Sequence, residues 1–276
     1  MSVTEVGTRD QFRMGNVVKR AWEVLLSRVA FFFAVSVLIN LPGMILQLVY
    51  DPSARMGKLL DVRSGTFHAE QVWPVFTEYL RVAGPATLLM MVVSIIGFGV
   101  MTLVAFQHMS GQPRALDENL TQAVKRFFPL FGLSILGALG VGVGLILLII
   151  PGIMLMVRWG ICSQVCVIEK TGPIASLKRS AELTDGNRWR LFGFAILLIL
   201  AFYVIMLPFT LLFMAIIWFG AGSISLTGVK IVSALWGLLI NGVFLGVGYC
   251  LSVAVYQELR RVKEGLASPA TIAVFD

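Results

Sequence analysis

Two cysteines four residues apart, Cys162 and Cys166, fall on one face of any helix that carries them, a spacing at which thiolates could hold a soft metal ion. No His, Asp or Glu stands beside them in that apolar stretch. Cys250 is likewise set in an apolar run. The better reading is that all three are small hydrophobes, so neither a metal nor a cofactor is expected. The two histidines give no base either. His68 sits in a polar segment, and His108 closes an apolar run beside Gln107 and Ser110. No Ser-His or Asp-His spacing and no Gly-rich phosphate loop accompanies them. These absences point to a non-enzymatic protein.

Arg158 is the sharpest single residue. A charge inside an apolar helix costs roughly 2.5–3.5 kcal/mol on insertion scales. Arg158 stands six positions after Gly152, about 9 Å along a helix from the Pro151-Gly152 pair. Either it snorkels outward with Trp159 as aromatic neighbour, or it faces the bundle interior near Gln164, Ser163 or Asn40 and meets an anionic group such as a lipid phosphate.

The elements that must position these residues are apolar helices. The chain is 58% hydrophobic and 13% charged. Soluble domains hold about 45–50% and about 25%. Long apolar runs without β-type alternation indicate an all-α integral membrane protein, a single polytopic domain over residues 1–276. Six spans are predicted at residues 31–49, 82–106, 130–150, 153–168, 191–218 and 231–256, with a long outer loop at 50–81. Asn40 and Pro42 lie near the middle of the first. Pro151-Gly152 is expected to make the turn between the third and fourth. The fourth is short and interrupted by Gly160, Ser163 and Gln164. A kink is expected at Pro208 in the fifth. Gln71–Tyr79 is expected to form a short outer helix. The first 28 residues are too polar for a signal peptide, so the first run reads as an uncleaved anchor. None of the spans holds Asp or Glu. Gly140/Gly144 and Gly242/Gly246 place small residues four apart for close helix packing, and Asn241 could hydrogen-bond across helices.

A short grammar recurs before the spans: Val18-Lys19-Arg20, Val124-Lys125-Arg126 and Leu177-Lys178-Arg179. The lysines are 106 and then 53 residues apart. Of 22 Lys and Arg, 17 fall in the termini and the connections on one side and 5 on the other, with Arg158 counted among the 17. The positive-inside rule then places both termini in the cytoplasm. The net charge of +7 is read as topology and headgroup contact, not nucleic-acid binding.

Each pair lies on an expected interfacial amphipathic helix, so the architecture reads as three hairpins, each preceded by one such helix. The first has an apolar stripe of Met14, Val17, Val18, Ala21 and Leu25. The second has Leu116, Leu120, Ala123 and Phe127, opened by Asp117 and Glu118 where the helix dipole favours acids. The third has Ile174, Leu177 and Ala181, with Pro173 suited to its first turn and Gly186 to its end. The basic interface expected from this pattern is Lys19, Arg20, Lys125, Arg126, Lys178, Arg179, Arg188 and Arg190.

From Leu130 to Phe194 the order of residues is distinctive. Ile149-Ile150-Pro151-Gly152-Ile153 is followed by Arg158-Trp159 and Val167-Ile168-Glu169. Then come Gly172-Pro173-Ile174-Ala175-Ser176-Leu177-Lys178-Arg179-Ser180, Leu183-Thr184 and Gly186-Asn187-Arg188-Trp189-Arg190. Over these residues the chain resembles the membrane domain attached to some bacterial glycerophosphoryl diester phosphodiesterases, and the related YciC-type inner-membrane proteins. The resemblance implies a multi-pass protein of the bacterial inner membrane. It does not imply phosphodiesterase chemistry, which belongs to a separate soluble barrel rich in Glu, Asp and His. Its recurring positions fall here on Arg158, Trp159, Asn187 and Trp189, with Pro151, Gly152 and Gly186 as motif positions.

The function expected is a membrane module that engages anionic lipid headgroups, a protein partner or a second copy of the chain. The alternative is a small transporter or permease, motivated by the repeat, the interrupted fourth span and Arg158.

Overall fold

A computed structural model describes residues 12–49, 60–61, 66–112, 114–220 and 225–265. Among them are eleven α-helices: α1 Met14–Ser27, α2 Val29–Val49, α3 Val72–Val82, α4 Gly84–Met109, α5 Leu116–Lys125, α6 Phe127–Leu147, α7 Ile149–Arg158, α8 Cys162–Ile168, α9 Pro173–Thr184, α10 Arg188–Gly220 and α11 Leu226–Glu264. A minimal antiparallel pair, β1 Leu60–Asp61 and β2 Thr66–Phe67, lies between α2 and α3. Six helical stretches are long and apolar enough to cross a bilayer: Val29–Leu48, Gly84–Met109, Phe127–Leu147, Ile149–Ile168, Arg188–Phe219 and Thr227–Glu264. The protein is a helical multi-pass membrane protein. Much of the predicted outer loop, including Asp51, lies outside the described residues.

The chain divides into two compact units. One comprises Ala30–Gly97 and Met206–Gly246. Its helices approach closely where side chains are missing. A β-carbon on Gly97 of α4 would lie 2.5 Å from Ile39 of α2, and one on Gly242 of α11 would lie 3.3 Å from the Phe33 ring. Phe213 and Trp236 stack at 4.9 Å. Asn40 belongs to this unit. Its side-chain amide donates to the Ser36 carbonyl of its own helix at 2.8 Å, which satisfies the group locally. Both α2 and α10 run on through their prolines, Pro42 and Pro208.

The other unit comprises Met1–Val29, Phe98–Ile205 and Val247–Asp276. Here α1 is tied down by Glu258, a fully buried carboxylate. Glu258 accepts from Arg261 at 2.7 Å and from the backbone N–H of Arg13, just before α1, at 3.2 Å. At the other end of α1, Ser27 Oγ donates to the Val24 carbonyl, which leaves it as acceptor for His108 Nε2 at 3.0 Å. His108 thus has a structural role at the end of α4.

Two buried amides join α4 to α5. Gln107 Nε2 donates to Asn119 Oδ1 at 2.6 Å, and Asn119 Nδ2 donates back to Gln107 Oε1 at 3.0 Å. Asn119→Ala strips Gln107 of its side-chain partner, leaving Oε1 only the Arg114 N–H at 3.3 Å, and is expected to cost about 1–3 kcal/mol in thermal unfolding. Replacing both residues with Leu is expected to recover part of that loss, because no buried amide is then left unpaired.

One sequence expectation is corrected. Pro151-Gly152 does not make the reversal between the third and fourth apolar stretches. Leu148 does so alone, in an extended conformation (φ −158°, ψ 134°), and Pro151 and Gly152 sit in the first turn of α7. Proline is tolerated there because that turn has no intrahelical use for its N–H. The fourth stretch is two helices, α7 and α8, broken at Trp159–Ile161. The apolar stripes of α1 and α5 divide between buried and exposed positions. In α1 the buried residues are Val17, Ala21 and Val24, while Val18 is exposed. In α5 they are Asn119 and Ala123, while Leu116 and Leu120 are exposed. Pro173 and Gly186 fall as expected, one opening α9 and the other at φ +76° after its end.

Candidate functional site

The connection between α8 and α9 builds the site. Lys170 stands in the left-handed region at φ +56°, unusual for a residue with a β-carbon. Its carbonyl accepts from Arg126 Nη1 at 2.7 Å, which holds the loop against the start of α6. Next to it, Thr171 Oγ1 pairs with Ser176 Oγ at 2.8 Å, and Ser176 donates to the Gly172 carbonyl, so the entry to α9 is closed by hydroxyls.

On this frame sits a chain of charges from three elements. Arg179 of α9 donates through Nε to Glu169 at 3.1 Å and through Nη2 to Glu264 of α11. Tyr256 donates to Glu169 at 2.9 Å. Arg260 donates to Glu264 at 2.9 Å and covers the Tyr256 ring at 5.8 Å. Partial burial works against the Arg179 charge, but Glu264 and Glu169 outweigh it and hold the guanidinium pKa above its ordinary value.

Glu169, Arg179, Arg260 and Glu264 line a cavity of 510 Å³ together with Gln107, Ser110 and Arg114 from the end of α4 and its loop. That volume lies in the range of small-molecule sites. Four cations, Arg114, Lys170, Arg179 and Arg260, face two carboxylates, Glu169 and Glu264. The lining therefore carries a surplus of two positive charges. Such a site suits an anionic group.

Of the sequence-predicted residues, the three Lys-Arg pairs separate. Lys19, Arg20, Lys125 and Lys178 are exposed, whereas Arg126 and Arg179 turn inward to the contacts above. Arg190 and Trp189 are exposed, and Arg188 pairs with Asp185 at 2.9 Å. The Asn187 backbone N–H donates to the Thr184 carbonyl.

Arg158 ends α7 with an exposed side chain, and its carbonyl accepts from Ser180 at 2.9 Å and Thr184 at 3.3 Å. Its structural contribution is a helix end capped by α9. Trp159 packs its indole on Gly140. Gln164 is buried, and its Oε1 has no partner among the described residues. Cys162 and Cys166 have no metal-binding company, since no group of three or more His, Cys, Asp or Glu is placed to hold a metal among the described residues.

Sequence reasoning missed Tyr256, Arg260 and Glu264 as site residues. The signal available was the Arg260/Glu264 spacing at i, i+4, which by itself marks an ordinary surface pair.

Comparison with curated proteins and with solved structures brings no match. The family model described as "Domain of unknown function (DUF7847)" matches residues 17–259, and the chain belongs to that family.

Proposed function

We propose that this protein is a non-enzymatic membrane module that binds anionic lipid headgroups at the cytoplasmic surface. The cavity with its cationic surplus carries this reading. A phosphate diester offers acceptors to Arg and Lys and needs no base, nucleophile or metal from the protein.

In this reading α1, α5 and α9 lie in the headgroup plane before three helical hairpins, with both termini in the cytoplasm. Support comes from their second, outward apolar rows. Val18, Trp22 and Leu26 in α1, Leu116, Leu120 and Val124 in α5, and Ile174 in α9 are exposed, with Lys19, Lys125 and Lys178 beside them. A helix that buries one row on protein and offers another with lysines nearby suits the boundary between headgroups and acyl chains. The membrane is the bacterial inner membrane, as the family resemblance implies.

Native mass spectrometry against phosphatidylglycerol and phosphatidylcholine tests the headgroup reading. The wild type is expected to retain phosphatidylglycerol in preference. Lys170→Glu reverses one exposed charge of the lining. At about 1 kcal/mol per elementary charge, that is roughly tenfold weaker retention or more. Equal retention of both lipids, or no change in Lys170→Glu, would count against headgroup binding in this cavity.

A further inference from the structure

The hairpin of α6 and α7 carries a long unbroken apolar run. From Ile135 to Val157 there is no polar side chain, and the reversal lies inside that stretch. An ordinary membrane-crossing hairpin turns in water and places polar residues there. This one turns on Leu148, with Ile146 87%, Leu147 72%, Leu148 66%, Ile149 69% and Ile150 74% exposed.

The arms are short. Helix α9 marks the polar level on both. Its first residue, Pro173, meets Gly132 of α6, and its Ser180 and Thr184 cap the Arg158 carbonyl at the end of α7. Along the same helix Lys178 and Glu182 are exposed, so α9 cannot sit in hydrocarbon. Beyond that level α6 has fifteen residues, Leu133–Leu147, and α7 has nine, Ile149–Val157. These reach about 22 Å and about 13 Å. A hydrocarbon core of about 30 Å needs roughly 20 residues.

The turn exposes little irregular backbone. Irregular backbone facing lipid is excluded unless its polar groups are satisfied internally. Leu148 is the one non-helical residue, its N–H donates to the Gly144 carbonyl at 3.1 Å, and its carbonyl accepts from Gly152 at 3.3 Å. Pro151 removes one N–H that would otherwise lack a partner. Gly144 and Gly152 let the arms touch, since a β-carbon on Gly144 would lie 3.1 Å from the Gly152 Cα.

We infer that α6 and α7 form a re-entrant hairpin whose tip, Ile146–Ile150, ends among the acyl chains of the cytoplasmic leaflet and does not emerge on the far side. Its partner surface is lipid hydrocarbon. The charge asymmetry is silent on this point, because the α6–α7 connection holds no charge to count on either side. The inference rests on the reading that α9 lies in the headgroup plane.

Spin labels placed one at a time in the full chain, in phosphatidylglycerol–phosphatidylcholine vesicles, separate the alternatives. The cysteine-free background carries Cys162→Ala, Cys166→Ala and Cys250→Ala. The labelled sites are Ile135, Leu139, Ile149 and Ile174, all exposed. Depth is read as relative accessibility to oxygen and to a nickel chelate. Depth is expected to increase steadily from Ile135 through Leu139 to Ile149, with Ile174 at headgroup level. A depth maximum at Leu139, with Ile149 back at an interface, overturns the inference and shows a full crossing. An Ile149 label shielded from both reagents overturns it in favour of a second copy covering the tip. An Ile174 label in bulk water or deep in hydrocarbon instead overturns the headgroup-plane reading of α9, whatever the hairpin does. Labelled variants that elute as the unlabelled protein does in size exclusion confirm that the fold is retained.

Discussion

Arg179→Ala is expected to destabilise the protein by roughly 1.5–3 kcal/mol, the range for losing hydrogen bonds to charged groups. The loss is large because one side chain serves two carboxylates on different elements. Glu169 follows α8, and Glu264 ends α11. Arg179 is about one-third exposed, so water recovers part of the cost. What remains is two carboxylates facing each other across a cavity without their shared cation, with Tyr256 and Arg260 as their remaining donors.

Arg179→Lys keeps the charge but replaces a planar fork with a point donor, so it is expected to fall between the wild type and alanine. Thermal unfolding followed by tryptophan fluorescence in detergent or nanodiscs reads the series. Since the guanidinium pKa is raised in the folded state, its contribution is fully present below the unfolded value and lost only in strong base. The difference between wild type and Arg179→Ala is therefore expected to stay constant between about pH 6 and pH 9. An unchanged melting temperature in Arg179→Ala would mean that the charge chain does not join these elements.

Gly152→Ala is expected to cost about 1–3 kcal/mol, the usual range for overpacking. The new methyl would lie 2.7 Å from the Leu145 backbone nitrogen. A backbone atom in the facing helix cannot rotate aside, so α6 and α7 must separate. Because their apposition also closes the turn at Leu148, the backbone bonds of that turn are expected to weaken with it. Gly137→Ala, in the same α6, is the control. Its β-carbon meets nothing within 4 Å, and no loss is expected. Hydrogen exchange at Leu148 and Gly152 distinguishes a local opening of the hairpin from general unfolding. Equal behaviour of the two variants would remove the close Gly144–Gly152 contact from the account.

The membrane class and the helix caps could be read from sequence because both rest on local properties. Apolar runs of this length have no use outside a bilayer, and Pro173 and Gly186 act through their own backbone angles. Most of the long apolar helices begin within a few residues of the apolar runs for the same reason, although helices such as α10 and α11, with 33 and 39 residues, run past the ends of those runs. A bilayer sets how many apolar residues are needed, but a helix ends where its hydrogen bonds and caps end.

The inward faces of α1 and α5 could not be read. Each carries two apolar rows, Val17/Ala21/Val24 against Val18/Trp22/Leu26 in the first case. Helical periodicity finds both rows, and only packing selects which one touches protein. The reversal at Leu148 was hidden in the same way. Pro-Gly is a strong local turn signal, yet the contact between Gly144 and Gly152 places the bend three residues earlier.

The charge chain lay furthest from reach. Glu169, Arg179, Tyr256, Arg260 and Glu264 extend over nearly a hundred residues of sequence, and no spacing rule links the end of α8 to the end of α11. Composition and period placed the chain in a bilayer. Long-range packing alone turned Arg126 and Arg179 inward while leaving Arg20 outside, because a charge moves into a folded core only where carboxylates or carbonyls from other elements are already held to receive it.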